Sequence, residues 1–121
     1  MSECKRTNMM AWFKDQVSQC QAREQTLSAD HRPDEAVFSR IERNVLDIFR
    51  AVLETALQGK DPHQAEVFFL EKLETIPSNW KRALEKAQSH GDPARAHLER
   101  IKIETAARIR VAFSNIWRDN P

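Results

Sequence analysis

The chain contains two glycines, and an Asp-Pro pair follows each of them closely, in Gly59–Pro62 and in Gly91–Pro93. Glycine readily adopts the left-handed conformation that ends a helix. Asp caps the free N–H groups at the start of the next helix, and Pro suits its first turn. Each of these sequences is therefore expected to join two consecutive helices.

Apolar residues recur at steps of three and four before, between and after these two turns, which predicts amphipathic helices and a single all-α domain. We expect helices over about 8–27, 33–58, 61–75, 77–90 and 93–118. They would form an antiparallel bundle of four to five helices, in which long N-terminal, second and C-terminal helices flank a middle pair. Pro77 is expected to break this pair, because the residue before proline avoids the α region. Residues 1–7 are expected to be mobile, and residues 119–121 to be frayed.

The second predicted helix has the strongest apolar periodicity, and we expect its stripe to face the core. Stripes on the other helices complete the predicted core, which consists of Phe38, Ile41, Val45, Ile48, Val52, Phe68, Leu73, Leu84, Leu98, Ile101, Ile109 and Ile116.

Composition limits the classes of partner. The formal net charge is +1, so no overall field recruits nucleic acid or an anionic membrane. No apolar stretch approaches the length of a membrane span or of a signal-peptide core. Cys4 and Cys20 have no CxxC partner, so neither a zinc site nor a disulfide framework is indicated. We expect a cytoplasmic protein without membrane association.

The residues that carry chemistry form no recognisable motif. Helical di-iron proteins use Glu-x-x-His, and none of His31, His63, His90 and His97 has Glu three positions before it. The G-x-S-x-G motif of serine hydrolases is also absent. We therefore expect no metal, no cofactor and no catalytic residue. An enzyme that uses carboxylates or histidines in a bundle cavity is a third, minor alternative.

Part of the sequence resembles a tetratricopeptide repeat. Trp80, Ala83, Ala87, Gly91-Asp92 and Ala96 fall at that repeat's spacing for its first aromatic residue, its small residues and its turn. Leu84 occupies the position of the repeat's glycine, and the terminal proline is missing. The resemblance implies antiparallel helical hairpins with tight turns, and the chain is assigned to no family.

The C-terminal helix is apolar over more than one face, which is typical of a central helix or of one that contacts another chain. Tryptophan is enriched in interface hot spots. We therefore predict a non-enzymatic module that acts through protein–protein contacts, either with itself, as a homodimer, or with another protein. The candidate interface consists of Trp80, Ile103, Ala106, Arg110, Phe113 and Trp117.

An alternative function is that of a small regulatory or accessory protein that contacts nucleic acid. Its candidate contacts are Lys81, Arg82, Arg95, Arg100 and Arg108. Aromatic and cationic residues combine there as they do on nucleic-acid surfaces. Glu99 and Glu104 lie among the arginines and can pair with them, so nucleic-acid binding ranks below protein contacts.

Overall fold

A computed structural model describes the backbone of residues 2–118 and the side chains of residues 4–117. The helices are α1 (Ser2–Ala29), α2 (Pro33–Leu57), α3 (Pro62–Ser89) and α4 (Pro93–Phe113), and the π-helical segment Ser114–Arg118 continues α4. The predicted all-α bundle is confirmed, with 91% of the described residues helical. α1 begins at Ser2, inside the segment predicted to be mobile, whereas residues 119–121 lie outside the described part of the chain.

The Gly-Asp-Pro turns end and begin helices as predicted. Gly59 and Gly91 have φ values of 69° and 64°. The Asp61 carboxylate accepts a bond from the Gln64 backbone N–H at 2.8 Å, and the Gln64 side chain accepts one from the Asp61 N–H at 3.2 Å. Asp92 accepts from the Arg95 N–H at 3.1 Å. Both Asp residues thus satisfy N–H groups that a helix start leaves free.

The predicted break at Pro77 is wrong, because α3 is one helix from Pro62 to Ser89. Proline inside a helix removes one backbone hydrogen bond and crowds the preceding turn. Here Pro77 is itself buried, and the Ser78 hydroxyl donates a bond to the Thr75 carbonyl at 2.6 Å within the same turn. Packing of the ring in the bundle favours continuity of the helix.

The core is centred on Phe69 of α3, which contacts an aromatic ring of each other helix. Its ring centroid lies 6.5 Å from that of Phe13, 6.3 Å from that of Phe49 and 4.6 Å from that of Phe113. Trp117, in the π-helical segment, stacks on Phe113 at 5.3 Å. These contacts tie α1, α2 and α4 to one point on α3.

The predicted core list is correct only in part. Val45, Leu73 and Ile109 are buried, Ile48 is exposed, and the other members are partly buried. Helix α2 turns a neighbouring set of residues inward, namely Ala36, Ser39, Val45, Leu46, Phe49, Leu53 and Ala56. Because α2 is apolar over a wide arc, periodicity alone placed the centre of its buried face incorrectly.

The two helical hairpins are built alike, which the sequence analysis did not predict. α1 and α3 each have 28 residues, and both α3 and α4 begin sixty positions after their counterparts. His31 has a positive φ of 59°, close to the 64° of the equivalent Gly91. Five residues recur at this offset in α2 and α4: Pro33/Pro93, Ala36/Ala96, Arg40/Arg100, Ile41/Ile101 and Arg50/Arg110. The chain is thus a tandem pair of similar hairpins.

The first turn offers a stability test of this correspondence. We expect His31→Gly to raise the free energy of unfolding by about 0.5 kcal/mol, because glycine adopts a positive φ without steric cost. Gly91→Ala should lower it by about 1 kcal/mol, and the space around Gly91 is open, so backbone strain alone is tested. Urea denaturation measures both changes. A His31→Gly variant less stable than its parent would contradict the expectation.

Candidate interaction surface

The candidate interface residues do not lie on one surface. Ala106, Phe113 and Trp117 are buried within the single chain, so they are not available to a partner. Trp80 is half-buried with its ring 6.3 Å from that of Phe49, and it packs against the core. The remaining two, Ile103 and Arg110, are half-buried and exposed respectively.

The position of α4 explains its excess of apolar residues. This helix packs against both α2 and α3, and its π-helical extension contacts α1. A helix with neighbours on several sides needs more than one apolar face. The apolar surplus that predicted an interface therefore reflects a central position in the bundle.

The candidate nucleic-acid residues are partly engaged in contacts within the chain. Arg108 binds Glu42 and Gln16, and Arg82 donates to the Asn79 side chain. Arg95 lies 4.0 Å from Glu99. The other two, Lys81 and Arg100, are exposed on α3 and α4. Contact with nucleic acid stays a prediction.

The four histidines occupy different places in the fold. His31 is in the first turn, His63 is in the first turn of α3, and His90 caps the end of α3. The ring centroids of His97 and Phe38 lie 4.5 Å apart, with the two rings nearly perpendicular. Between residues 4 and 117, no three His, Cys, Asp or Glu side chains come together as a metal ion would require.

A polar cluster centred on Glu42 connects α1, α2 and α4. Its carboxylate accepts from the Arg23 guanidinium at 3.0 Å, from that of Arg108, and from the Cys20 thiol at 3.5 Å. Arg108 also donates to Gln16 at 3.1 Å. The Glu42 side chain is only 16% exposed, so these charge-assisted bonds form in a partly dehydrated setting and are stronger than they would be in water. They connect the three helices to one another.

Cys20 is a structural member of this cluster. It is fully buried, and burial together with the neighbouring Glu42 carboxylate raises the pKa of its thiol, although Arg23 opposes the shift. The thiolate is the nucleophilic form of cysteine. The Cys20 thiol is therefore protonated at neutral pH and closed to solvent, which favours a structural role.

A stripe of mostly apolar residues on the outer side of α2 is largely exposed to solvent. This outer stripe consists of Val37, Ile41, Asn44, Ile48 and Ala51, at alternating steps of four and three. Ile41 is half-buried and the other four are exposed, with Val37 at 36% and Ile48 at 40%. Steps of four and three align residues along one face of a helix, so these side chains form a continuous row.

The equivalent row on α4 is polar. Sixty positions further on stand His97, Ile101, Glu104, Arg108 and Val111. The first four line a cavity of about 300 Å³ between α2 and α4, together with Phe38, Ser39, Glu42 and Thr105. Arg108 is neutralised there by Glu42. The two similar helices thus differ along this row: on α4, His97 and Arg108 contact Phe38 and Glu42 of α2, whereas the row on α2 faces outward.

Other exposed apolar residues in the described part of the chain are of a different kind. Val67 and Val111 are 51% and 61% exposed as individual residues. Phe68 lies under Lys60 and Lys72, whose ammonium nitrogens are 4.7 and 5.4 Å from its ring centroid. Single exposed apolar residues are normal on a protein surface, whereas contiguous apolar patches mark interaction sites.

No protein-family model, curated protein or solved structure matches this chain. None of the described helices is long and apolar enough to cross a membrane.

Proposed function

We propose that this chain is a non-enzymatic helical module that acts through protein contacts, and that it docks an amphipathic helix on the outer stripe of α2. The observation that supports this proposal is the aligned row in which Val37 and Ile48 are exposed and Ile41 between them is half-buried. A helix that presents a row of apolar residues at steps of four and three suits a second helix with the same spacing.

The composition of the stripe fits a specific contact. Asn44 stands in the middle of the apolar row, and a single polar residue at such a position fixes the register of paired helices. Arg40 and Asp47 follow one edge of the stripe and are at least partly exposed. An apolar centre with a charged edge is the usual anatomy of a protein interface.

The energy gained suits a contact that forms and dissociates. Complete burial of a valine or isoleucine side chain contributes about 1.5–3 kcal/mol, and the stripe residues are already partly covered. Each of Val37 and Ile48 would then add about 1 kcal/mol on docking. This is large enough to select a partner helix and too small to make the chain insoluble without one.

Site-specific photo-cross-linking tests the proposal. A photoreactive residue at position 44 should give a defined protein adduct in extract from the native cells, and Ile48→Lys should remove that adduct. Because Ile48 is 40% exposed, this substitution should change the free energy of unfolding by less than about 0.5 kcal/mol. Val67→Lys, at another exposed valine, is the matched control and should leave the adduct in place.

A second control places the photoreactive residue at Glu74, which is exposed on α3. The proposal fails if positions 44 and 74 give the same adducts, or if Ile48→Lys leaves the position-44 adduct unchanged.

A further inference from the structure

We infer that the helix that docks on the outer stripe is α2 of a second copy of this chain, antiparallel to the first about a twofold axis at Asn44. This inference rests on the proposed function and names its partner. The twofold operation places Ile41 of one copy beside Ile48 of the other. It also places Val37 opposite Ala51, so that apolar residues meet on both sides of the axis.

Asn44 supports the antiparallel arrangement because the two copies of this residue meet at the axis. A side-chain amide has donor and acceptor groups, so two amides related by a twofold axis can bond to each other. Asn44 is exposed in the single chain, and its amide is therefore available for such a pair. Its central position fixes the register at which the apolar residues match.

The charges on the edge of the stripe are complementary in the same arrangement. Arg40 of each copy lies beside Asp47 of the other, which gives two symmetric ion pairs. In a parallel, in-register dimer this edge of one copy would lie on the opposite side of the interface from the same edge of the other copy, so Arg40 and Asp47 would not meet. The two ion pairs form only in the antiparallel arrangement, which the edge residues therefore favour.

The ion pairs that Arg40 and Asp47 form within the chain do not prevent them from pairing across the dimer. Arg40 is 3.2 Å from Glu24, and its side chain is 50% exposed. Asp47 is 3.4 Å from Arg50, and both of these side chains are more than 40% exposed. Glu24 also keeps Arg43 at 3.0 Å, so it has a cation when Arg40 turns toward the second copy. Exposed ion pairs exchange at little cost.

One helix face per copy makes a small interface, so we expect a concentration-dependent dimer with a dissociation constant in the micromolar range or weaker. Sedimentation of the full chain up to about 1 mM measures it. Arg40→Glu and Asp47→Arg should each weaken self-association at least about tenfold, because each places like charges together twice. Thermal melts of both variants establish that they are folded.

Mixing the two variants provides the decisive measurement. Glu at position 40 of the first variant then faces Arg at position 47 of the second, and the second variant's Arg40 faces the first variant's Asp47. An equimolar mixture should therefore dimerise like the parent chain, and so should the double variant. A mixture that dimerises no better than its components overturns the inference.

Disulfide trapping gives an independent readout. In a Cys4→Ser background, Asn44→Cys should form a disulfide-linked dimer on mild oxidation, since residues at the axis approach their own copies. Glu74→Cys on the exposed side of α3 is the matched control and should cross-link at least about tenfold more slowly. The other native cysteine, Cys20, is buried and does not interfere.

The result also separates this inference from the proposal on which it rests. A chain that stays monomeric at about 1 mM, with Asn44→Cys no faster than Glu74→Cys, overturns the homodimer. In that case, an Ile48-dependent adduct between position 44 and a different protein would still support helix docking. Loss of that adduct as well would reject both.

Discussion

Phe69→Ala is expected to lower the free energy of unfolding by about 3–5 kcal/mol. Phe69 is fully buried, and its ring contacts Phe13, Phe49 and Phe113 on the three other helices. Removal of the ring therefore loses both its burial and the packing that its neighbours share. Urea denaturation at constant pH measures the change.

The preceding residue provides a matched control for this substitution. Phe68 is only partly buried and lies under two lysine side chains, so Phe68→Ala should lower the free energy of unfolding by about 1 kcal/mol. Equal losses for the two variants would show that Phe69 is not the centre of the core.

Glu42→Ala is expected to lower the free energy of unfolding by about 2 kcal/mol. The substitution leaves the guanidinium groups of Arg23 and Arg108 without their shared carboxylate at the junction of three helices. Loss of one member of a partly buried charge cluster costs more than loss of an exposed pair. Calorimetric or urea unfolding measures the loss.

Glu104 is the control, because it lines the same cavity and is exposed. Glu104→Ala should change stability by less than about 0.5 kcal/mol. A double-mutant cycle with Arg108→Ala should give a coupling of about 1 kcal/mol between Glu42 and Arg108. A coupling near zero would mean that the cluster does not hold α4 against α2.

The ends of the helices could be predicted from the sequence, because glycine, aspartate and proline act locally. The positive φ of Gly59 and Gly91 and the capping bonds of Asp61 follow from the residues themselves. The predicted break at Pro77 was wrong because the free-energy cost of proline in a helix arises locally. The burial of its ring, which offsets that cost, depends on the whole bundle. Local signals predict a boundary only when tertiary packing does not oppose them.

The predicted interface failed for a related reason. Apolar periodicity shows that a face will be covered, but it does not show whether a neighbouring helix or another chain covers it. Trp117 is buried in the core of its own chain, whereas Ile48 is 40% exposed to solvent. A sequence signal for the outer stripe did exist in the seven-residue spacing of Val37, Asn44 and Ala51. The core-facing apolar pattern of α2 is stronger and predicts the same helix, so the weaker spacing of the outer stripe was overlooked.

The one difference between the two similar hairpins bears on how far the proposed assembly could grow. A chain with an apolar row on both α2 and α4 would have two adhesive faces, and chains joined through both faces would extend into a filament. In this chain, the row on α4 carries His97, Glu104 and Arg108, and Arg108 is bound to Glu42 within the molecule. In the proposed homodimer the stripe on α2 is the one self-complementary face, so assembly would close at two copies. We therefore expect the difference between the two halves to stop polymerisation.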